Sequence, residues 1–268
     1  DTSWVATIYV LAMSVFIITV SKLADIYGRK LVMLIGVVIF GIFSFACMMA
    51  DSLLLLIIFR FFQGIGGAIL TPIVLPMGIE LFGKENTSRI TAIMGAFSAL
   101  AAAGGPVIGG LIVHWTTYHW IFGINVPIAI IAFLMILVGT KESYDLTISK
   151  NIDRLDIIFL TCTLGGLIFG LLEGHEYGWG SQTIIASFVI SVVGLFFLFL
   201  TERRVKSPVI DLKLFKESTF TSSSLIYMIF GFAIIVPSLI LNYFLQNVRN
   251  YSALHSAYLI IPTSLAIV

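Results

Sequence analysis

The stretch Ser21-Lys-Leu-Ala-Asp-Ile-Tyr-Gly-Arg-Lys30 places four charged residues between two uncharged runs, 2–21 and 31–50, each twenty residues long. At about 1.5 Å rise per residue, twenty apolar residues in a helix cross the ~30 Å hydrocarbon layer of a bilayer. The short turn between them must then sit at a membrane face, with its charges in the headgroups or in protein.

The rest of the chain repeats this pattern. Of 268 residues, 59% are hydrophobic and 11% charged, too few polar side chains to cover a water-soluble surface. Breaks at charged or turn-rich points give nine apolar segments, approximately 2–21, 31–50, 52–79, 90–113, 120–139, 157–173, 181–201, 219–246 and 254–268. The expectation is an all-α polytopic protein in the cell membrane. It is read as an incomplete chain, because it opens at Asp1 without an initiator Met and stops at Val268 inside an apolar run.

Charge sorting sets the orientation. Alternating the loops between sides puts Lys22, Arg29, Lys30, Lys84, Arg89, Lys141, Lys150, Arg154, Arg203, Arg204, Lys206, Lys213 and Lys216 on one side, thirteen of fifteen basic residues. That side is the cytoplasm by the positive-inside rule. All four tryptophans (Trp4, Trp115, Trp120, Trp179) and all four histidines then fall at outer ends, where the tryptophans suit an interfacial belt. A net charge of +1 gives no reason to expect nucleic acid as a partner.

Cys47 and Cys162 lie in uncharged stretches and read as core packing rather than a disulfide or metal framework. Metal-dependent enzyme chemistry finds no support either. His114 and His119 are five apart, off the chelating i, i+4 face, and Asp153 and Asp156 lie in a charged connection. The longest polar connections, 140–156 and 202–218, are the expected boundaries between bundles. The charges of the first, Glu142 among them, read as a solvated linker.

Four groups of residues stand out. In the opening turn, Gly28 permits backbone closed to bulkier residues, and Asp25 can pair with Arg29 or cap a helix. Arg60 follows seven apolar residues, where an arginine costs about 2.5–3.5 kcal/mol and requires a protein partner or a watery cavity; the alternative is snorkelling to the outer interface. Gly105, Pro106, Gly109 and Gly110 strip one helix face of side chains so that another helix can approach. Glu173 ends an apolar stretch, either as a partly desolvated carboxylate able to exchange protons or as an interfacial side chain beside His175. Gly166 and Gly170 read as ordinary helix packing.

In order, these motifs resemble the major facilitator superfamily. Its first-loop motif, Gly-x-Leu-Ala-Asp-x-x-Gly-Arg-Lys, is matched with Ser21 at the leading glycine, its Arg-x-x-Gln-Gly pattern is Arg60 to Gly64, and its antiporter motif falls at 105–110 with Ala101 replacing an earlier glycine. Ser3-Trp-Val-Ala-Thr-Ile-Tyr9, His119-Trp-Ile-Phe-Gly-Ile-Asn-Val-Pro127 and Pro208-Val-Ile-Asp-Leu-Lys-Leu-Phe215 are similar to the fourteen-span drug:proton antiporter branch. There an arginine often stands at the place of His119.

The resemblance implies an N-terminal bundle lacking its first span at 1–140, a cytoplasmic linker with two extra spans at 141–201, and a loop with the first spans of the C-terminal bundle at 202–268. It also implies a cytoplasmic gate at Asp25, Gly28, Arg29 and Lys30, proton coupling through Arg60, and packing between halves through Gly105, Pro106, Gly109 and Gly110. The function implied is proton-coupled export of cationic or amphipathic compounds by alternating access, with Phe61, Phe62, Met94 and Phe97 as candidate contacts. Expected partners are the small-molecule substrate, protons and the lipid bilayer, with no cofactor and a monomer at full length. Metabolite export, nutrient symport and a non-transporting scaffold are the alternatives.

Overall fold

A computed structural model describes residues 3–144, 154–202, 214–251, 255, 256 and 259. The linker charges Asp145, Lys150 and Asp153, the basic residues Arg203, Arg204, Lys206 and Lys213, the stretch 208–213 and most of the segment 254–268 lie outside the described residues.

Every regular element among the described residues is helical, as the apolar runs require. The helices are α1 (Trp4–Tyr27), α2 (Arg29–Met48), α3 (Leu53–Phe82), α4 (Thr87–Trp115), α5 (His119–Gly123), α6 (Asn125–Gly139), α7 (Arg154–Tyr177), α8 (Gln182–Glu202) and α9 (Ser218–Tyr243). Six stretches among the described residues are long and apolar enough to cross a membrane: α1, α2, α3, the α5–α6 run His119–Gly139, α7 and α8. Helix continues where a loop was expected at 22–27, because the Asp25–Arg29 pair bridges one helical turn and Gly28 alone reverses the chain.

The chain divides into two compact units, Asp1–Met77 with Phe122–Asp211, and Gly78–Ile121 with Leu212–Val268. In the first, Val20 and Ala24 of α1, Val32 of α2, and Ala68, Ile69, Ile73 and Met77 of α3 form the main apolar core. Val37 of α2 packs with Ala129 and Ile136 of α6, while Cys47, Ala50 and Leu56 close the outer end. Cys47 is fully buried and Cys162 half-buried, in keeping with packing roles.

Helices α7 and α8 form a close antiparallel hairpin built on small residues. A Cβ at Gly166 would strike the Ser187 carbonyl oxygen and approach the Ser191 nitrogen to 3.0 Å, while Ser191 Oγ donates to Thr163 O at 2.8 Å. Without water to drive association, such backbone proximity and interhelical hydrogen bonding hold helices together in lipid. The hairpin lies against α1, with the rings of Trp4 and Phe169 6.0 Å apart. In the second unit, α4 follows a tight turn at Lys84–Asn86, and α9 ends in one π-helical turn, Phe244–Val248.

The backbone contact at Gly166 makes a specific prediction. Gly166→Val should lower stability by about 1–3 kcal/mol, the cost of overpacking a filled contact. Gly95→Ala, where a Cβ meets nothing within 4 Å, should be near neutral. Thermal unfolding of the detergent-solubilised protein compares the two.

Candidate functional site

At the turn between α1 and α2, Gly28 adopts φ 113° and ψ 129°, backbone that a side chain resists, and its N–H donates to Ala24 O at 3.0 Å. One residue therefore separates α1 from α2. Arg29 Nε donates to Asp25 Oδ1 at 2.9 Å and its terminal nitrogen lies 2.8 Å from the same oxygen. Of the two roles open to Asp25, pairing with Arg29 is the one adopted. The Lys30 ammonium turns to α6 and donates to Leu137 O at 2.8 Å and Thr140 O at 2.7 Å.

Sequence reasoning missed the residue opposite. Glu142, assigned to a solvated linker, accepts the Lys30 N–H at 2.9 Å and the Leu31 N–H at 3.1 Å, and a Cβ on Gly28 would lie only 2.5 Å from its carboxyl group. Its only signal in sequence was a carboxylate a few residues beyond a span whose partner helix starts with Arg29-Lys30.

Deeper in the first unit, Arg60 sits seven residues into α3, about 10 Å from the helix start. Its Nε donates to Val5 O at 2.9 Å and another guanidinium nitrogen to Gln63 Oε1 at 2.6 Å. The guanidinium carbon lies 4.0 Å from the Tyr9 ring centroid and 5.6 Å from that of Phe122, so two π faces cover the cation. Among the described residues no carboxylate pairs with it. Gln63 is 1% exposed and passes the network on, its Nε2 donating to the wholly buried Ser44 Oγ at 2.7 Å. Gly64 lets α1 come this close, since a Cβ there would lie 2.6 Å from Tyr9 O. Arg60 is thus held by protein rather than snorkelling, and Tyr9, Phe122 and Ser44 are members of the site that no spacing in the sequence singled out.

The other expected residues lie elsewhere. Gly105, Pro106, Gly109 and Gly110 all fall within α4. A Cβ at Gly105 or Gly109 meets no atom within 4 Å. Glu173 lies inside α7, four residues before its end, and is 2% exposed. Phe62 stacks on Phe43 at 4.8 Å and Phe61 stands edge-on to Phe16 at 6.2 Å, so both are engaged in helix packing. Phe97 is 69% exposed. No group of three or more metal-ligating side chains occurs among the described residues.

A helical membrane chain with a charged one-residue turn, a π-covered intramembrane arginine and a glycine stripe agrees with what comparison with known proteins finds. The family model of the Major Facilitator Superfamily matches residues 1–268. The chain belongs to this family. It is an integral, multi-pass membrane protein. It is 33% identical over 261 residues to Multidrug resistance protein 3 of Bacillus subtilis (strain 168), covering 97% of this chain and 51% of that protein. Multidrug transporter protein MdtP of the same organism is 31% identical over 267 residues, covering 99% and 49%. The Tetracenomycin C resistance and export protein of Streptomyces glaucescens is 28% identical over 262 residues, covering 98% and 49%. The chain spans about half the length of the curated relatives it matches.

The arginine network predicts its own response to mutation. Gln63→Leu removes the acceptor for Arg60 and the donor to Ser44, and should cost about 1–3 kcal/mol through the buried groups left unpaired. Adding Ser44→Ala should cost less than that change does alone in the wild type, because one orphaned group is then removed with its partner. Unfolding of the four proteins of this double-mutant cycle in detergent measures both effects.

Proposed function

We propose that this chain works as part of a proton-coupled antiporter that exports cationic or amphipathic compounds by alternating access. The observation that carries the reading is Arg60, a permanently charged group held within a span by a carbonyl, an amide and two aromatic faces. Such a cation is expensive in a bilayer, and a transporter retains it for what it does to other charges. Because guanidinium does not release its proton, Arg60 acts as a fixed positive charge. It favours the ionised form of a carboxylate brought near it and opposes a cation in the same place, so proton entry and cation exit exclude one another.

The cytoplasmic turn supplies the gate in this reading. Asp25 and Arg29 form its paired charges, Gly28 sets the tight reversal, and Lys30 ties the start of α2 to the end of α6. The stripe of Gly105, Pro106, Gly109 and Gly110 in α4 supplies a face on which a helix of the other half can slide without a leak. Glu173, buried in α7, is one carboxylate to which this reading would assign a part in proton transfer. The names of the relatives, which speak of multidrug resistance and of tetracenomycin C resistance and export, support drugs as the substrate class. The working protein is a monomer, with protons and substrate as its partners and no nucleic acid.

The test uses the full-length transporter in vesicles with an imposed pH gradient and a fluorescent lipophilic cation. Efflux should stop when the gradient is collapsed, and Asp25→Asn and Arg60→Ala should each slow it about tenfold or more, the scale of one lost hydrogen bond to a charged group. Both variants should still insert, as membrane fractionation would show. Efflux that persists without the gradient would overturn proton antiport, and unchanged efflux in both variants would remove the assigned roles.

A further inference from the structure

We infer that Glu142 is a positioning residue of the cytoplasmic gate, and that it acts with Lys30 as a pair of reciprocal helix caps rather than as a salt bridge. The inference rests on the gate reading of the Asp25–Arg29 turn and adds a residue that lies outside the motif.

Every α-helix leaves its first N–H groups and last C=O groups without partners inside the helix. At α2 the accounting closes through one short segment of the chain. The N–H of Arg29 donates to Ser143 O at 2.9 Å, that of Lys30 to Glu142 Oε1 at 2.9 Å and that of Leu31 to Glu142 Oε2 at 3.1 Å; Val32 then bonds to Gly28 O at 3.1 Å and begins the helical ladder. At α6 the reverse holds, with Lys30 Nζ on Leu137 O and Thr140 O, two of that helix's terminal carbonyls. A carboxylate thus sits at the positive end of α2 and an ammonium at the negative end of α6, each favoured by the helix it faces. Ser143 N–H also donates to Glu142 Oε1 at 3.2 Å, which fixes the carboxylate from its own side.

The consequence falls on the gate. Arg29 is both the first residue of α2 and the partner of Asp25, so its backbone is held by residue 143 while its side chain holds α1. With the caps in place, the end of α1, the start of α2 and the end of α6 move as one piece. Without them the first turn of α2 frays and Arg29 loses its fixed place against Asp25. Gly28 serves the same arrangement twice, through its φ of 113° and by leaving room for the Glu142 carboxyl.

Reciprocal capping and an ordinary ion pair respond oppositely to charge reversal. In the full-length transporter, Glu142→Gln should speed amide exchange of a peptide covering 29–32 about tenfold and slow substrate efflux, with affinity for the lipophilic cation unchanged. Glu142→Asp should give partial recovery. The double reversal Lys30→Glu with Glu142→Lys should be worse than either single change, because each charge then faces the wrong helix end. Rescue by the double reversal would overturn the capping assignment. Wild-type exchange in Glu142→Gln would overturn the clasp itself, and faster exchange with unchanged efflux would overturn its role in the gate. Amide exchange needs no transport, so a wild-type protein without proton-driven efflux would sink the antiport proposal while the exchange measurements still decide on the clasp.

Discussion

The absence of water in the hydrocarbon layer governs this structure. Polar groups of the spans must find partners inside the protein, and the two polar clusters of the first unit do so in different ways. Near the outer end, Arg60 is satisfied by Val5, Gln63 and two aromatic faces, and Gln63 by Ser44. At the other end of α1, in the charged turn at the membrane face, the open ends of α2 and α6 are capped by Glu142 and Lys30. Both clusters join segments far apart in the chain, so the polar demands of single helices also bind the bundle together.

Close approach of backbones is the second organising feature. The hairpin of α7 and α8 closes on Gly166, Gly170 and Ser191, and α1 meets α3 at Gly64. Small residues matter more here than in a water-soluble core because lipid tails solvate leucine as well as another leucine does. The same physics separates the glycines of α7 from those of α4. Gly166 and Gly170 are filled contacts, while a Cβ at Gly105 or Gly109 has open space around it.

The chain belongs to the Major Facilitator Superfamily and spans about half the length of the curated relatives it matches. The charged turn at Gly28 and the arginine network lie near opposite ends of α1, with the apolar core of α1, α2 and α3 between them. That core packs together the three helices that carry both.

Apolar segment length and charge placement alone set the helical class, the spans and the residues worth attention, because membrane thickness and the cost of a buried charge act on local sequence. Seven of the expected segments among the described residues match a helix to within a few residues, and the eighth, 2–21, extends through the charged stretch to Tyr27. The Asp25–Arg29 pair was legible for the same reason, its partners being one helical turn apart. Partners distant in sequence were not. That Arg60 rests on Tyr9 and Phe122, that Gln63 reaches Ser44, and that Glu142 leaves the linker to cap α2 depend on which helices lie side by side. A hydrogen bond or a π contact needs a few ångströms in space, and only the tertiary fold brings residues as far apart as 30 and 142 within that reach.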